Sequence, residues 1–151
     1  MSDPHKAVFR RALVALNGGT SDARIVSLVA DQARQNKAEL IAVHVVEIDW
    51  TLPLDADIAG RSEEVQRVLD TAESVAEDYR TTLEPVLLQA RDVGAAIVDE
   101  AVERQADLLV VGLPYRKRFG GEFAIGRTIP YILQNAPCAV WVVRDPIEES
   151  T

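Results

Sequence analysis

The sequence is nearly without cysteine: Cys138 stands alone in 151 residues. A single thiol excludes an internal disulfide framework and a cysteine-rich zinc site. No apolar run approaches the roughly 18–20 residues that a membrane span requires. The opening residues MSDPHKAVFR hold no apolar stretch of the secretory kind, so a soluble, cytoplasmic protein is expected. Basic residues are in deficit, with 16 Lys and Arg against 24 Asp and Glu and a formal charge of −8. General binding to nucleic acid or to an anionic membrane needs a basic face and is not expected. Internal repeats and low-complexity segments are missing. So are the P-loop pattern G-x-x-x-x-G-K-S/T and the dinucleotide fingerprint G-x-G-x-x-G.

What is present is ordinary globular material. Hydrophobic residues make up 48% and charged residues 26%, near the averages of folded domains. The length suits one domain, and a chain of this size buries roughly 68–70% of its unfolded surface, enough for a core without staples. The acidic excess is local. Glu47 to Glu84 carries 11 Asp or Glu against three Arg, a net of −8. Arg116-Lys117-Arg118, with Arg127 nearby, forms a small basic island. Such an island suits an anionic ligand, and equally a solvated surface turn.

Hydrophobic periodicity orders the chain. RALVAL (Arg11 to Leu16) is a short apolar run ended by Asn17-Gly18-Gly19, which reads as a buried strand. Thr20 or Ser21 is placed to cap a helix in which Ile25, Leu28, Val29 and Ala33 share one face and which fades near Asn36-Lys37. ELIAVHVVEI (Glu39 to Ile48) reads as a second strand, and Asp49 to Gly60 as a loop carrying Trp50. Ser62-Glu63-Glu64 opens a long helix with carboxylates at the positive end of its dipole. Pro85 to Leu88 is a short strand, and Asp92 caps a helix burying Ala96, Ile97 and Ala101. DLLVVGL (Asp107 to Leu113) and CAVWVVR (Cys138 to Arg144) are the last strands, separated by a glycine-bearing loop and a short helix from about Thr128 to Asn135. Pro130 is tolerated there because it lies in the first turn. Strands alternating with helices predict an α/β fold, a parallel sheet with helices on both faces.

In such a sheet, ligands bind beyond the carboxyl ends of the strands where the strand order reverses. Asn17 to Thr20, Val45 to Asp49 and Gly112 to Thr128 would lie there. Glycine lets backbone approach a ligand, and a helix N-terminus favours an anion. His44, inside a strand, reads as a structural residue with a hydrogen-bond partner, and Cys138 as a small buried hydrophobe. Ser21 has no identifiable base beside it and reads as a cap rather than a nucleophile. No catalytic residue and no metal ligand is assigned.

The N-G-G-T-S turn after the first strand, H-V-V-E in the second, D-L-L-V-V-G in the fourth and the tail Y-I-L-Q-N-A-P-C-A-V-W-V-V-R (Tyr131 to Arg144) together resemble the universal stress protein family, from about Phe9 to Arg144. The resemblance implies one domain over residues 1–151 with short flexible termini. It also implies an open five-stranded parallel sheet in the order 3-2-1-4-5, of the Rossmann-like, adenine nucleotide alpha-hydrolase-like kind. It further implies adenine nucleotide binding without a Walker motif, and a homodimer through the last strand. The apolar Val140, Trp141, Val142 and Val143 fit that pairing, since an edge strand otherwise exposes unpaired backbone.

The family's nucleotide binders show G-x-x-G, a spacer, and then G-S or G-T. Gly112 matches the first glycine, Tyr115 replaces the second, Gly126 matches the third after one extra residue, and Arg127 precedes Thr128 where Ser or Thr is usual. Asn17 replaces the aspartate that commonly ends the first strand, and Val45 falls near the adenine-contacting backbone. Asn17, Val45, Gly112, Arg116, Gly126, Arg127 and Thr128 are therefore the expected contacts for ATP, AMP or another adenine nucleotide. The expected function is a non-catalytic stress-response protein. Two alternatives stay open: a slow nucleotide hydrolase, and a dimeric interaction or regulatory module that binds no nucleotide and docks through its acidic second helix or the Trp50 loop.

Overall fold

The computed structural model describes residues 7–48, 51, 62–113 and 126–146. The elements run β1 (Arg11–Leu16), α1 (Asp22–Asn36), β2 (Glu39–Glu47), α2 (Ser62–Asp78), β3 (Leu83–Ala90), α3 (Val93–Glu103), β4 (Leu108–Leu113), α4 (Thr128–Asn135) and β5 (Ala139–Arg144). The sheet order is β3-β2-β1-β4-β5, as expected. Every neighbouring pair is parallel, with Val14 opposite Ala42 and Val110 at the centre.

Alternation along the strands builds two cores. Ala12, Val14 and Leu16 of β1, Leu40 and Ala42 of β2, and Leu108 and Val110 of β4 face α1 and α2. Leu13, Ile41, Val43, Val45, Leu109, Val111 and Leu113 point the other way, onto Ile97, Val98 and Ala101 of α3 and Ile129 and Ile132 of α4. The three central strands are thus covered on both faces, which is why they read as continuous apolar runs. The edge strands differ. β3 extends to eight residues around Pro85, whose missing N–H is harmless on an edge. β5 leaves Trp141 and Val142 more than a third exposed, so the expectation of strands apolar and covered on both faces holds only for the centre.

A carboxylate fixes the register of β4 on β1. Asp107 accepts from Arg10 N through Oδ2 and from Arg11 N through Oδ1, both at 2.8 Å, while its own N–H donates to Arg11 O. Arg11 extends the tie by donating to the Arg104 carbonyl at 2.8 Å and pairing with Glu39 at 2.6 Å.

Three helices end alike. Lys37, Arg80 and Gln105 each take a positive φ. The following Ala38, Thr81 and Ala106 then donate back to Ala33, Ala76 and Ala101 carbonyls at 2.9–3.0 Å, the six-to-one closure of a Schellman turn. Asp92 caps α3 as expected, accepting from Ala95 N at 3.1 Å.

Candidate functional site

The strand order reverses between β1 and β4: α1 follows β1 onto one face, and α4 follows β4 onto the other. Such a reversal sends the two connections apart and opens a crevice beyond the carboxyl ends of β1 and β4. Its β1 side is a tight turn. Gly18 has φ +81°, a left-handed conformation that disfavours a side chain. Asn17 Oδ1 accepts from Gly19 N at 2.7 Å. The buried Asp22 carboxylate accepts from Asn17 N at 3.1 Å and Gly18 N at 2.9 Å.

The expected side-chain cap is therefore corrected. Ser21 occupies the N-cap position but makes no side-chain cap bond, and Asp22 organises the turn instead. Burial pushes the Asp22 carboxyl above its ordinary value, against the opposing pull of the Asn17 and Gly18 N–H bonds and of His44.

His44 has the partner expected of it, with Nδ1 3.2 Å from the Leu16 carbonyl. A carbonyl only accepts, so this bond places the proton on Nδ1 and leaves Nε2 an acceptor in the neutral ring. Gly112 has a reason beyond ligand approach. A Cβ there would overlap Cδ1 of Ile25, so α1 can lie against β4 only over a residue without a side chain.

A cavity of ≈ 310 Å³ occupies the crevice. Asn17, Val45, Gly112 and Thr128 line it, four of the seven expected contacts. The apolar walls come from Val93, Ile97, Val111, Ile129 and Ile132. Gly126 and Arg127 immediately precede α4 but are not among the lining residues. Arg127 is the N-cap of α4 and makes no side-chain cap bond; a guanidinium carries donors only and cannot accept from a helix N–H. Arg116, with Lys117, Arg118, Tyr115, Trp50 and Phe119, lies outside the described residues.

A second cavity of ≈ 430 Å³ adjoins the first and shares Asn17, His44, Val45 and Glu47 with it, reaching Glu64, Val65 and Val68 of α2. Among the described residues no group of three or more His, Cys, Asp or Glu could hold a metal ion.

Sequence reasoning missed two residues here. Asp22 was signalled by an acid directly after N-G-G-T-S, and Glu47 by the acid closing H-V-V-E, which carried the resemblance without a role of its own.

At the far edge, Trp141 stands edge-on to the buried Phe9, with ring centroids 5.8 Å apart and planes at 86°. Cys138 is half-buried against the α3/α4 core, and burial, reinforced by Asp107, pushes its thiol up. Among the described residues no helix is long and apolar enough to cross a membrane.

Comparison with known proteins follows the same outline. The sensor protein KdpD of Mycobacterium tuberculosis (strain CDC 1551 / Oshkosh) is 29% identical over 137 residues, which is 90% of this chain and 14% of that protein. The chain thus spans about one seventh of the length of the curated relative it matches. A universal stress protein solved in complex with cAMP superposes with a TM-score of 0.68 at 22% identity, over 90% of this chain and 97% of that one. The universal stress protein of Archaeoglobus fulgidus in complex with dAMP gives 0.70 at 20% identity, over 90% and 98%. The family model for the universal stress protein family matches residues 9–144. A match across nearly all of the sheet and helices, joined to the 3-2-1-4-5 strand order, places the chain in the universal stress protein family.

Proposed function

We propose that the crevice beyond β1 and β4 binds an adenine nucleotide, AMP or ATP, and that the protein acts by binding rather than by catalysis. The observation that carries the reading is the cavity itself. Its ≈ 310 Å³ lies at the topological switch point, within the roughly 300–1,000 Å³ of small-molecule sites. Val45, Ile97, Val111 and Ile132 offer an apolar slot for a flat base. The phosphate end is the start of α4, where Thr128 lines the cavity and the uncapped first turn presents helix N–H groups to an anion. Arg127 at the N-cap adds a fork of donors to that end. Related universal stress proteins solved with cAMP and dAMP support an adenine ligand.

The working unit in this reading is a homodimer in the cytoplasm, joined through β5. Val140, Trp141, Val142 and Val143 put apolar surface on an edge strand that has no proline and no lysine within it, the devices that normally prevent edge pairing.

Titration calorimetry with AMP and with ATP tests the ligand. Saturable binding of either is expected, with loss of binding in Thr128→Trp, whose indole fills the mouth of the cavity. Heats equal to dilution for both nucleotides at roughly millimolar concentration, a regime of about 4 kcal/mol, would refute the reading. Sedimentation at twice the monomer mass tests the dimer, and Trp141→Lys should return it to the monomer.

A further inference from the structure

The side chain of Glu47 ties nothing together among the described residues. It closes β2, is exposed, and makes no hydrogen bond or ion pair among the described residues. It is also the one Asp, Glu, Lys or Arg among the described residues that line the crevice cavity, and it borders the adjoining cavity as well. Its position follows from register. His44 is level with Leu16, the last residue of β1, so Glu47 stands three residues further on, past the end of the neighbouring strand. Strand alternation puts it on the same face as Val45.

The polar groups of the β1 turn already carry bonds. Both oxygens of Asp22 accept backbone N–H groups of the turn, and Asn17 Oδ1 accepts from Gly19. Asn17 therefore offers the cavity its amide donors and one remaining lone pair, while His44 Nε2 offers a single acceptor in the neutral ring. Among the described residues that line the crevice cavity, a ligand that brings two adjacent O–H donors finds one carboxylate able to take both, that of Glu47. Its charge also sets the polarity of the ligand, repelling phosphate toward the start of α4 and leaving the nucleoside at the β2 end.

We infer that Glu47 is the specificity-determining residue for the sugar, accepting hydrogen bonds from the vicinal 2′- and 3′-hydroxyls of a ribonucleotide. The inference rests on the adenine nucleotide reading. It assigns this chain a preference for ribonucleotides with a free diol over deoxy and 3′,5′-cyclic forms. Asn17 at the end of β1 matches a diol less well, because its single amide oxygen already accepts from Gly19 N, whereas a carboxylate presents two oxygens.

The test compares AMP with its 2′,3′-dideoxy analogue on the wild-type protein and on Glu47→Gln, by calorimetry. Hydrogen bonds to a charged acceptor are the strong class, so wild type should favour AMP by about 10- to 100-fold. Glu47→Gln should bring that ratio to within about threefold while leaving dideoxy-AMP affinity nearly unchanged, because one amide oxygen cannot serve a diol as a carboxylate does. A circular dichroism melt unchanged by the substitution confirms that the exposed side chain is not structural. Binding of AMP with a ratio that survives in Glu47→Gln overturns the role of Glu47 and leaves the nucleotide reading standing. A Glu47→Gln protein that loses discrimination between adenosine and inosine monophosphates, yet keeps the ribose preference, overturns it too and moves the carboxylate to the base. No binding of any adenine nucleotide to wild type removes the inference together with the reading beneath it.

Discussion

Alanine at Gly112 tests whether that glycine serves packing or the ligand alone. The added Cβ would overlap Cδ1 of Ile25, a side chain only 1% exposed and wedged between α1 and the sheet. Ile25 cannot swing into solvent, so the helix or the strand must yield. Overpacking of this kind costs typically about 1–3 kcal/mol. Removing a glycine from a strand returns roughly 0.5–1 kcal/mol of that through the unfolded chain. Gly112→Ala is therefore expected to destabilise by about 1–2 kcal/mol, a fall in Tm of roughly 2–8 °C for a domain of this size.

Ile25→Val deletes the offending methyl group. Alone it leaves a small void and costs about 0.5–1.5 kcal/mol. Together the two changes exchange one methyl for another across the same contact. The double variant should be about 1 kcal/mol or more better than the summed singles, measured by urea unfolding at equal slope. Additivity within about 0.5 kcal/mol would mean that the two residues do not share the contact. The packing account of Gly112 would then be wrong.

Further expectations concern the caps and the buried acid. Asp22→Asn tests the sign of a linkage. The folded protein holds the Asp22 carboxyl above its ordinary 3.8, so it binds more protons than the unfolded chain just above that value, and stability from this group declines as pH rises through the window. The stability of wild type minus that of Asp22→Asn should accordingly shrink as pH rises above the ordinary 3.8 and through the raised folded value; a difference that grows with pH there would show a depressed carboxyl instead. Asp92→Ala removes the acceptor for Ala95 N and should cost about 1 kcal/mol in chemical denaturation; an effect near zero would mean water replaces the cap without loss. Gln105→Gly relieves a left-handed residue whose exposed side chain makes no hydrogen bond among the described residues and should raise stability by roughly 0.5–1 kcal/mol, with a loss counting against the strain argument.

The strands and layers were legible because the central strands are buried on both faces, which writes itself into RALVAL, ELIAVHVVEI and DLLVVGL as unbroken apolar runs. The resemblance then supplied the order that periodicity alone could not. Element ends were less legible where usual signals are replaced. The closures after α1, α2 and α3 use Lys37, Arg80 and Gln105 in place of the glycine that marks such a turn. β3 begins earlier than its apolar core suggests, because an edge strand tolerates Glu84 and Pro85 facing solvent. Ser21 had the right chemistry and position for a cap, yet the neighbouring carboxylate, longer and able to accept twice, captured the turn.

The site divides along the same line between what a motif marks and what only the third dimension assembles. Gly112 and Thr128 were marked by the phosphate-loop pattern, and both line the cavity. The pattern does not say that one of them is also a packing contact to Ile25, since α1 is remote in sequence from β4. Asn17 was marked as the lost aspartate, a loss of charge at the end of β1. In the fold, negative charge at this crevice lies on Asp22, spent on the turn, and on Glu47, unspent at the end of β2. An asparagine whose oxygen accepts from Gly19 and a glutamate on the next strand without a side-chain partner among the described residues form a consistent pair. The carboxylate facing the crevice thus stands on β2, and only the parallel pairing of β1 with β2 brings it beside Asn17.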